Sequence, residues 1–336
     1  MTTIGIGVIG CGFVGYGAHL PAFSAIDGAR LAAVADPDAK RLEKATKKHS
    51  IKSAYQDYVE LIKDPNVDAV VVSVPTPLHQ RVTLTALGAG KHVLCEMPLA
   101  PTLDAADEMI EAAKSAGVYL MPGLNFRFTP NYVKAKQQIQ SGALGDVTAA
   151  FYREFIPAKD LAKQWPPGAW VWKVRESGGP LFTLSVWSID LLRWITEREV
   201  GEVHAAAKYT VLDKFGGTLG YDACATIRFC NGVVGSLQYS GSVSEHASTS
   251  CLEVVGSSTT SLQASGNDTV TLVGEEPART EWKLKEPGPR SWGHQQQDEH
   301  FVRSILDGRL PQIIPEDGRR AMEIALQIAR SAPVPR

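Results

Sequence analysis

Residues 4–15 of this 336-residue chain read IGIGVIGCGFVG. An apolar run leads into the pattern G-x-G-x-x-G, whose glycines are Gly10, Gly12 and Gly15. The first glycine permits a tight turn, the second lets the backbone approach a pyrophosphate, and the third lets a helix pack closely on a strand. The free N–H groups at the start of that helix then face the phosphates. Strand, turn and helix in this order predict a dinucleotide-binding unit.

An acidic residue ends the next predicted strand. Asp36 follows the apolar run at 30–35. A carboxylate at this point accepts hydrogen bonds from the ribose hydroxyls of NAD and repels the 2′-phosphate of NADP. Lys40 and Arg41 follow closely enough in sequence to weaken that repulsion. NAD is therefore the predicted cofactor, and NADP is the less favoured alternative.

Composition excludes several classes of protein. Hydrophobic residues make up 44% of the chain and charged residues 21%, which is typical of a globular protein. The net charge of -2 and the lack of a basic cluster argue against nucleic-acid binding, and no apolar run is long enough to cross a membrane. The five cysteines are scattered without a C-x-x-C, which predicts reduced thiols in the cytoplasm. The dispersed histidines predict no metal site.

The pattern of elements predicts two domains. Residues 1–122 alternate short apolar strands with helical segments, which predicts a doubly wound parallel sheet of the Rossmann type. Residues 123–336 contain many alternating strands with short turns, one long helix and two closing helices. They predict an α+β domain for substrate binding and oligomerisation, built on a large, open and mainly antiparallel sheet. The last helix is able to pack back on the first domain.

An open sheet whose second face carries no helices often meets a partner. We therefore expect a homodimer or homotetramer formed through the sheet.

Further segments extend the pattern. They read PTPLH at 75–79, GKHVLCEMPL at 90–99, NFRFTP at 125–130 and SGGP at 177–180. With the glycine motif in this order, the chain resembles the Gfo/Idh/MocA oxidoreductases over nearly its whole length. The resemblance implies a Rossmann domain, a C-terminal domain with a large open sheet, and NAD(P) bound between them. It also implies small-molecule substrates that are mostly sugars, cyclitols or their derivatives.

The chain departs from this family at three positions. The lysine of the family's E-K-P motif is Met97, and the aspartate and histidine of its D-x-G-x-H motif are Thr183 and Trp187. Oxidation of an alcohol requires a base for the hydroxyl proton, and such help is worth about 10²–10⁴-fold. None of these three side chains is a base near pH 7. The sequence therefore predicts an oxidoreductase with an altered acid–base set.

Two residues are candidates for the proton donor. By resemblance, Trp172 and Lys173 approach the cofactor, and burial beside Arg175 would favour the neutral amine of Lys173. Alternatively, Lys173 only anchors the cofactor amide or faces water. Tyr152 is the second candidate; it alternates with Arg153 along a strand, so only one of the two points inward. The alternative for Tyr152 is a core or sheet-face position.

Four tryptophans fall between residues 165 and 187. They form either a hydrophobic core or an aromatic-lined pocket, and a pocket with Met97 and Trp187 would favour a substrate with a flat or apolar part. His79 orients its loop or touches the cofactor, and the resemblance implies that Glu96 meets the nicotinamide ribose. The predicted cofactor-binding residues are Gly10, Gly12, Phe13, Val14, Gly15, Asp36, Ser73, Pro75, His79, Glu96 and Trp172. The predicted substrate pocket comprises Met97, Arg127, Thr183 and Trp187.

Three functions remain open at this stage. The first is an NAD(P)-dependent oxidoreductase acting on a sugar-like, cyclitol-like or other carbonyl or imine substrate. The second is a non-catalytic NAD sensor, which the joint loss of lysine, aspartate and histidine favours. The third is redox-neutral NAD chemistry that drives elimination or glycoside cleavage.

Overall fold

The computed structural model describes residues 3–275, 279–285 and 292–333. The chain divides into two compact units. The first comprises the described parts of Met1–Asn125 and Pro287–Arg320, and the second those of Phe126–Glu286 and Ala321–Arg336. The assignment of cofactor binding to 1–122 and substrate binding to 123–336 stays a prediction.

The first unit is built on a parallel sheet. Its strands are β1 (Ile4–Ile9), β2 (Ala29–Ala35), β3 (Ser53–Tyr55), β4 (Ala69–Val72), β5 (His92–Cys95) and β6 (Leu120–Pro122). Within the described residues they form six strands in the order β3-β2-β1-β4-β5-β6. The order reverses direction between β1 and β4, and ligands bind outside the carboxyl ends of strands at such a point. The Rossmann-type prediction is confirmed.

Helices surround this sheet. They are α1 (Leu20–Ala25), α2 (Ala39–His49), α3 (Tyr58–Lys63), α4 (His79–Gly88), α5 (Leu103–Ala116) and α10 (His294–Asp307). The strands between them are buried on both faces; Val70, Val71 and Val72 are 0% exposed. A continuous β-branched run suits such a strand because no side chain meets water.

The second unit is built on a larger sheet. Its strands are β7 (Val147–Phe155), β8 (Val200–Leu212), β9 (Thr218–Phe229), β10 (Val234–Ser240), β11 (Thr249–Gly256), β12 (Ser261–Ser265), β13 (Thr269–Val273) and β14 (Arg279–Lys283). The described strands lie in the order β14-β13-β12-β11-β7-β10-β9-β8. The β10–β7 pair is parallel, and the other pairs are antiparallel. The prediction of a large, mainly antiparallel sheet is confirmed.

Helices of the second unit pack on one face of this sheet. They are α6 (Pro130–Gln140), α7 (Ala158–Gln164), α8 (Val174–Ser177) and α9 (Gly179–Thr196), while α11 (Pro315–Arg330) begins in the first unit and ends in the second. Helix α9 is buried along nearly its whole length, and Phe182, Ile189 and Leu192 are 0% exposed. It packs against β7 and β9 and forms the core beneath them.

Candidate active site

The glycine loop leaves open space at one of its three glycines. Gly10 has φ +97°, and a Cβ there would lie 2.5 Å from the carbonyl oxygen of Ser73. A Cβ on Gly15 would lie 1.9 Å from the Gly10 oxygen, whereas a Cβ on Gly12 would meet no atom within 4 Å. Gly10 and Gly15 are thus required by the fold. The space at Gly12 fits a loop whose backbone is approached by a pyrophosphate.

The neighbours of this loop differ in exposure. The Ser73 hydroxyl donates to the carbonyl oxygen of Gly10 at 2.8 Å, so it ties β4 to the loop. The Phe13 side chain is 46% exposed, Val14 is half-buried and Pro75 is exposed. The loop continues into a π-helix, Gly15–His19, before α1 begins. Single turns of π-helix occur frequently at functional sites.

Asp36 is held firmly at the end of β2. Its Oδ2 accepts from the backbone N–H of Cys11 at 2.8 Å and its Oδ1 from that of Asp38 at 2.9 Å. The residue is only 4% exposed. Arg41 Nη1 lies 3.8 Å from Asp36 Oδ2, and the Arg41 side chain is 57% exposed. The carboxylate is therefore fixed beside the glycine loop, as a ribose-binding acid must be.

A buried histidine joins two carboxylates in the first unit. His19 Nε2 lies 2.9 Å from Glu96 Oε1, and its Nδ1 lies 2.8 Å from Asp298 Oδ2. Burial alone lowers the pKa of His19, but the charges and hydrogen bonds of Asp298 and Glu96 outweigh it and raise the pKa to about 10. Burial alone raises the pKa of Glu96, but the imidazolium of His19 outweighs that and lowers it. His19 therefore holds Glu96 ionised and in one orientation at neutral pH.

This arrangement predicts a pH dependence of stability. The folded-state pKa of His19 is raised from 6.5 to about 10. Its contribution to the free energy of unfolding is therefore complete below about pH 6.5 and is lost as the pH rises through about 10. Over this range the free energy of unfolding of wild type should fall by up to about 1.4 kcal/mol per pH unit on account of His19, and His19→Gln should remove this part of the fall. Calorimetric unfolding of wild type and variant between pH 6.5 and 10 measures the difference. In His79→Gln, the control, the slope should match wild type; an unchanged slope in His19→Gln would contradict the prediction.

His79 has a different environment. Its Nδ1 lies 2.8 Å from the carbonyl oxygen of Pro98, and its Nε2 lies 2.8 Å from that of Val74. Burial lowers the pKa of His79 in spite of these two oxygens. The ring thus links the loop after β4 to the segment after β5, which is the geometry of a residue that orients its loop.

Hydroxyl groups cluster on the helix-covered face of the second unit's sheet. The Tyr152 hydroxyl lies 3.0 Å from Ser250 Oγ and 3.4 Å from the Tyr132 hydroxyl. Tyr152 also donates to Glu154 Oε1 at 3.4 Å. Burial raises the pKa of Tyr152 well above 10. Tyr152 is thus a buried, neutral phenol at the inner end of a hydroxyl network.

The other candidate proton donor lies at the surface of the second unit. The Lys173 side chain is 52% exposed, and its Nζ lies 3.5 Å from Glu176 Oε2. Trp172 is 8% exposed, and its indole N–H donates to the carbonyl oxygen of Trp165 at 3.0 Å. The lysine is thus not buried, in contrast to the burial that the sequence analysis expected for it.

Comparison with known proteins decides the family. The model of an oxidoreductase family with an NAD-binding Rossmann fold matches residues 4–124, and the GFO/IDH/MocA C-terminal domain matches residues 132–261. The chain belongs to the Gfo/Idh/MocA oxidoreductase family. The resemblance inferred from the motifs is thereby confirmed.

Relatives in this family act on cyclitols and sugars. The chain is 31% identical to the myo-inositol 2-dehydrogenase of Thermotoga maritima, over 97% of this chain and 95% of the relative. It is 34% identical to the 1,5-anhydro-D-fructose reductase of Ensifer adhaerens, over 52% of this chain and 51% of the relative. The crystal structure of scyllo-inositol dehydrogenase from Lactobacillus casei with bound NAD(H) and scyllo-inositol matches with a TM-score of 0.81 and 26% identity, covering 98% of this chain and 97% of that one.

The three positions at which the sequence motifs predict a departure from the family pattern are mostly buried. Met97 is 4% exposed and Thr183 2% exposed, and the Thr183 hydroxyl donates to the carbonyl oxygen of Gly179 at 3.0 Å. Trp187 is half-buried. Arg127, predicted for the substrate pocket, forms a two-point ion pair with Asp190 at 2.7 and 2.5 Å. Its role toward a substrate stays a prediction.

Sequence reasoning missed two features of these units. Asp298 lies 279 positions from His19 along the chain, and no local pattern signals that contact. Glu154 was not considered, although strand alternation places it on the same face as Tyr152. The described part of the chain holds no group of three or more His, Cys, Asp or Glu side chains arranged to hold a metal ion, and no helix long and apolar enough to span a bilayer.

Proposed function

We propose that this protein is an NAD-dependent oxidoreductase that transfers hydride to or from a sugar-like or cyclitol-like substrate with a non-standard acid–base set. The cofactor part of the proposal rests on the open space at Gly12. A glycine that the fold alone required would have protein atoms close to an added Cβ, as Gly10 and Gly15 do, whereas Gly12 has none within 4 Å. The buried carboxylate of Asp36 supports NAD as the form bound. The glycine loop, Asp36 and Glu96 would bind and orient the cofactor, which would supply the acceptor or donor of the hydride.

The non-standard acid–base set rests on the three substituted positions. Met97 and Thr183 are buried and carry no group that exchanges a proton near pH 7. Lys173 and Tyr152 stay candidates for the proton donor. The first is exposed and paired with Glu176, and the second is bonded to Ser250.

Two measurements test this function. NADH binding by fluorescence comes first, followed by turnover with myo-inositol, scyllo-inositol and 1,5-anhydro-D-fructose in both directions. Binding together with net NADH formation or consumption supports the proposal. Loss of substrate without net NADH formation would indicate redox-neutral chemistry instead.

The buried, inert side chains of Met97 and Thr183 also favour a non-catalytic NAD sensor. Tight NADH binding with no turnover across the panel, and a protein partner whose affinity changes with NADH, would favour the sensor and contradict the proposed enzyme.

Cofactor choice gives a further prediction. Asp36→Ser is expected to reduce the preference for NAD over NADP by at least about tenfold, because like charges no longer meet at the ribose. Asp38→Asn is the matched control, since it removes a carboxylate two positions away while keeping an oxygen at the start of α2. The ratio of dissociation constants for the two reduced cofactors measures the effect. Equal ratios in Asp36→Ser and wild type would contradict a discriminating role for Asp36.

Self-association through the sheet stays part of the proposal. Val234 and Val255 both pair with Ala149, and they are 51% and 36% exposed on the face opposite Tyr152. Light scattering on the purified protein tests for a dimer or tetramer.

A cytoplasmic location is also proposed, supported by five free cysteines.

A further inference from the structure

A histidine, a glutamate and an aspartate from three separate elements meet in the interior of the first unit. His19 ends the π-helix Gly15–His19, which begins at the last glycine of the fingerprint. Glu96 directly follows β5, and Asp298 lies in the second turn of α10. His19 and Asp298 are 0% exposed, and Glu96 is 7% exposed. A helix that is remote in sequence thus supplies a buried carboxylate to the segment that follows the glycine loop.

The geometry of the three groups determines the protonation state of the histidine. Nδ1 of His19 lies 2.8 Å from Asp298 Oδ2, and Nε2 lies 2.9 Å from Glu96 Oε1. Ionised carboxylates only accept hydrogen bonds, whereas a neutral imidazole has a single N–H to donate. Two such contacts therefore require that both ring nitrogens carry a proton. A neutral ring would place a lone pair against one of the two carboxylates.

The other groups around His19 are compatible with this charged state. His294 of α10 faces the ring edge-on, with 5.6 Å between the ring centroids. Gln297 Nε2 donates to Asp298 Oδ1 at 3.4 Å, so the second oxygen of this carboxylate is also held. Burial alone lowers the pKa of His19, but Asp298 and Glu96 outweigh it and raise the pKa to about 10. The imidazolium is therefore maintained well above neutral pH.

Glu96 lies at the edge of the sheet where a dinucleotide would bind. Its backbone N–H donates to the carbonyl oxygen of Val72, the last residue of β4, at 3.0 Å. The next residue, Ser73, is bonded to the carbonyl oxygen of Gly10. Ligands of such sheets bind outside the carboxyl ends of the strands, where the strand order reverses. Two hydrogen bonds thus connect Glu96 with the glycine loop at that edge.

The two oxygens of the Glu96 carboxylate have different surroundings. Oε1 is held by His19, while Oε2 accepts a long hydrogen bond of 3.4 Å from the backbone N–H of Met97. A carboxylate oxygen accepts more than one donor, so Oε2 is able to accept from a hydroxyl group of a ligand. The other histidines whose charge acts on Glu96 are His294 and His79. An ionised carboxylate is the stronger acceptor, because its hydrogen bonds are charge-assisted.

We propose that Asp298 and His19 are positioning residues for cofactor binding, and that they hold Glu96 so that its second oxygen accepts from a ribose hydroxyl of NAD(H). This inference rests on the proposed NAD-dependent function. Asp298 keeps a proton on Nδ1 of His19, and the ring donates its second N–H to Glu96. Without the charge of Asp298, a neutral ring with its proton on Nδ1 would turn a lone pair toward Glu96 and release the carboxylate.

Asp298→Asn tests the proposal, because it keeps the size of the side chain and removes its charge. In wild type, the dissociation constant for NADH should stay constant from about pH 6.5 to 9, since His19 stays protonated. In the variant it should rise by about tenfold over this range, because the imidazolium and its charge-assisted hydrogen bond to Glu96 are lost. Fluorescence titration with NADH at a series of pH values measures both profiles. His294 is present in both proteins, so the difference between the profiles isolates His19.

Asp107→Asn is the matched control, because the same substitution removes a carboxylate that pairs with Arg319 at 2.8 Å in the first unit. Its profile should match that of wild type. A profile in Asp298→Asn as flat as in wild type would overturn the positioning role and leave cofactor binding intact. A wild type that binds no NADH would overturn the proposed function and this inference together.

Circular dichroism shows whether Asp298→Asn folds. If it does not, the wild-type profile decides the question. An affinity for NADH that weakens only above about pH 9, as His19 loses its proton, supports the positioning role. An affinity that weakens already below about pH 9, or that is still unchanged at about pH 10.5, overturns it.

Discussion

Gly12→Ala is expected to weaken NADH binding by about 10- to 100-fold and to leave the free energy of unfolding unchanged. The added methyl group meets no protein atom within 4 Å, so the fold tolerates it. It would occupy the space that a pyrophosphate requires, and overpacking of one methyl group costs about 1–3 kcal/mol. Fluorescence titration with NADH measures the first quantity and chemical denaturation the second.

Gly15→Ala is the contrasting variant. Its Cβ would lie 1.9 Å from the Gly10 carbonyl oxygen, so it should destabilise the first unit before any cofactor is added. If Gly12→Ala bound NADH as tightly as wild type, the open space would not be a cofactor site. If it unfolded as readily as Gly15→Ala, the space would be required by the fold.

Asp190→Asn is expected to lower the free energy of unfolding of the second unit by about 3–5 kcal/mol. Asp190 is 0% exposed and Arg127 8% exposed, and their two hydrogen bonds satisfy both charges. Arg193 Nη1 lies 3.5 Å from the same carboxylate. Loss of the negative charge leaves a buried guanidinium without its counter-charge, which is far costlier than loss of a surface pair.

Urea unfolding followed by tryptophan fluorescence measures this loss, because every tryptophan except Trp292 lies in the second unit. Lys163→Ala breaks an exposed helical pair with Asp160 in the same unit and should cause no measurable change. Arg127→Leu combined with Asp190→Leu should recover much of the loss, since no charge then remains buried alone. A loss in Asp190→Asn as small as that in Lys163→Ala would contradict the buried-pair argument.

The sequence predicted the elements with strong local signals. The β-branched run of Val70, Val71 and Val72 is a strong local signal for a buried strand, and the fingerprint places a turn after β1. Strand β3 carries no such signal, because Ser53–Tyr55 is only three residues long and lacks β-branched side chains. The parallel β7–β10 pair was also beyond prediction, because neighbours in a sheet need not be neighbours in sequence.

The site was predictable only in part for the same reason. Asp36 lies at a fixed distance from the glycine motif, so a short pattern finds it. The charge state of His19 depends on Asp298, which a separate segment of the chain supplies. The pKa of Glu154 is raised to about 7 by burial, which depends on how other elements pack on its strand. Local sequence carries the identity of such groups but not the surroundings that set their chemistry.

The division of the chain between its units limits how this protein can be recombined with its relatives. The first unit consists of two separate stretches, and the later one contributes α10 with Asp298. A chimaera that joins this chain to a relative after Asn125 would combine His19 of this chain with α10 of the relative. The relative's residue at the position of Asp298 would then decide whether His19 stays protonated. Exchange of the whole nucleotide-binding unit with a relative therefore requires two crossovers, one on each side of the second unit, so that His19 and Asp298 are replaced together.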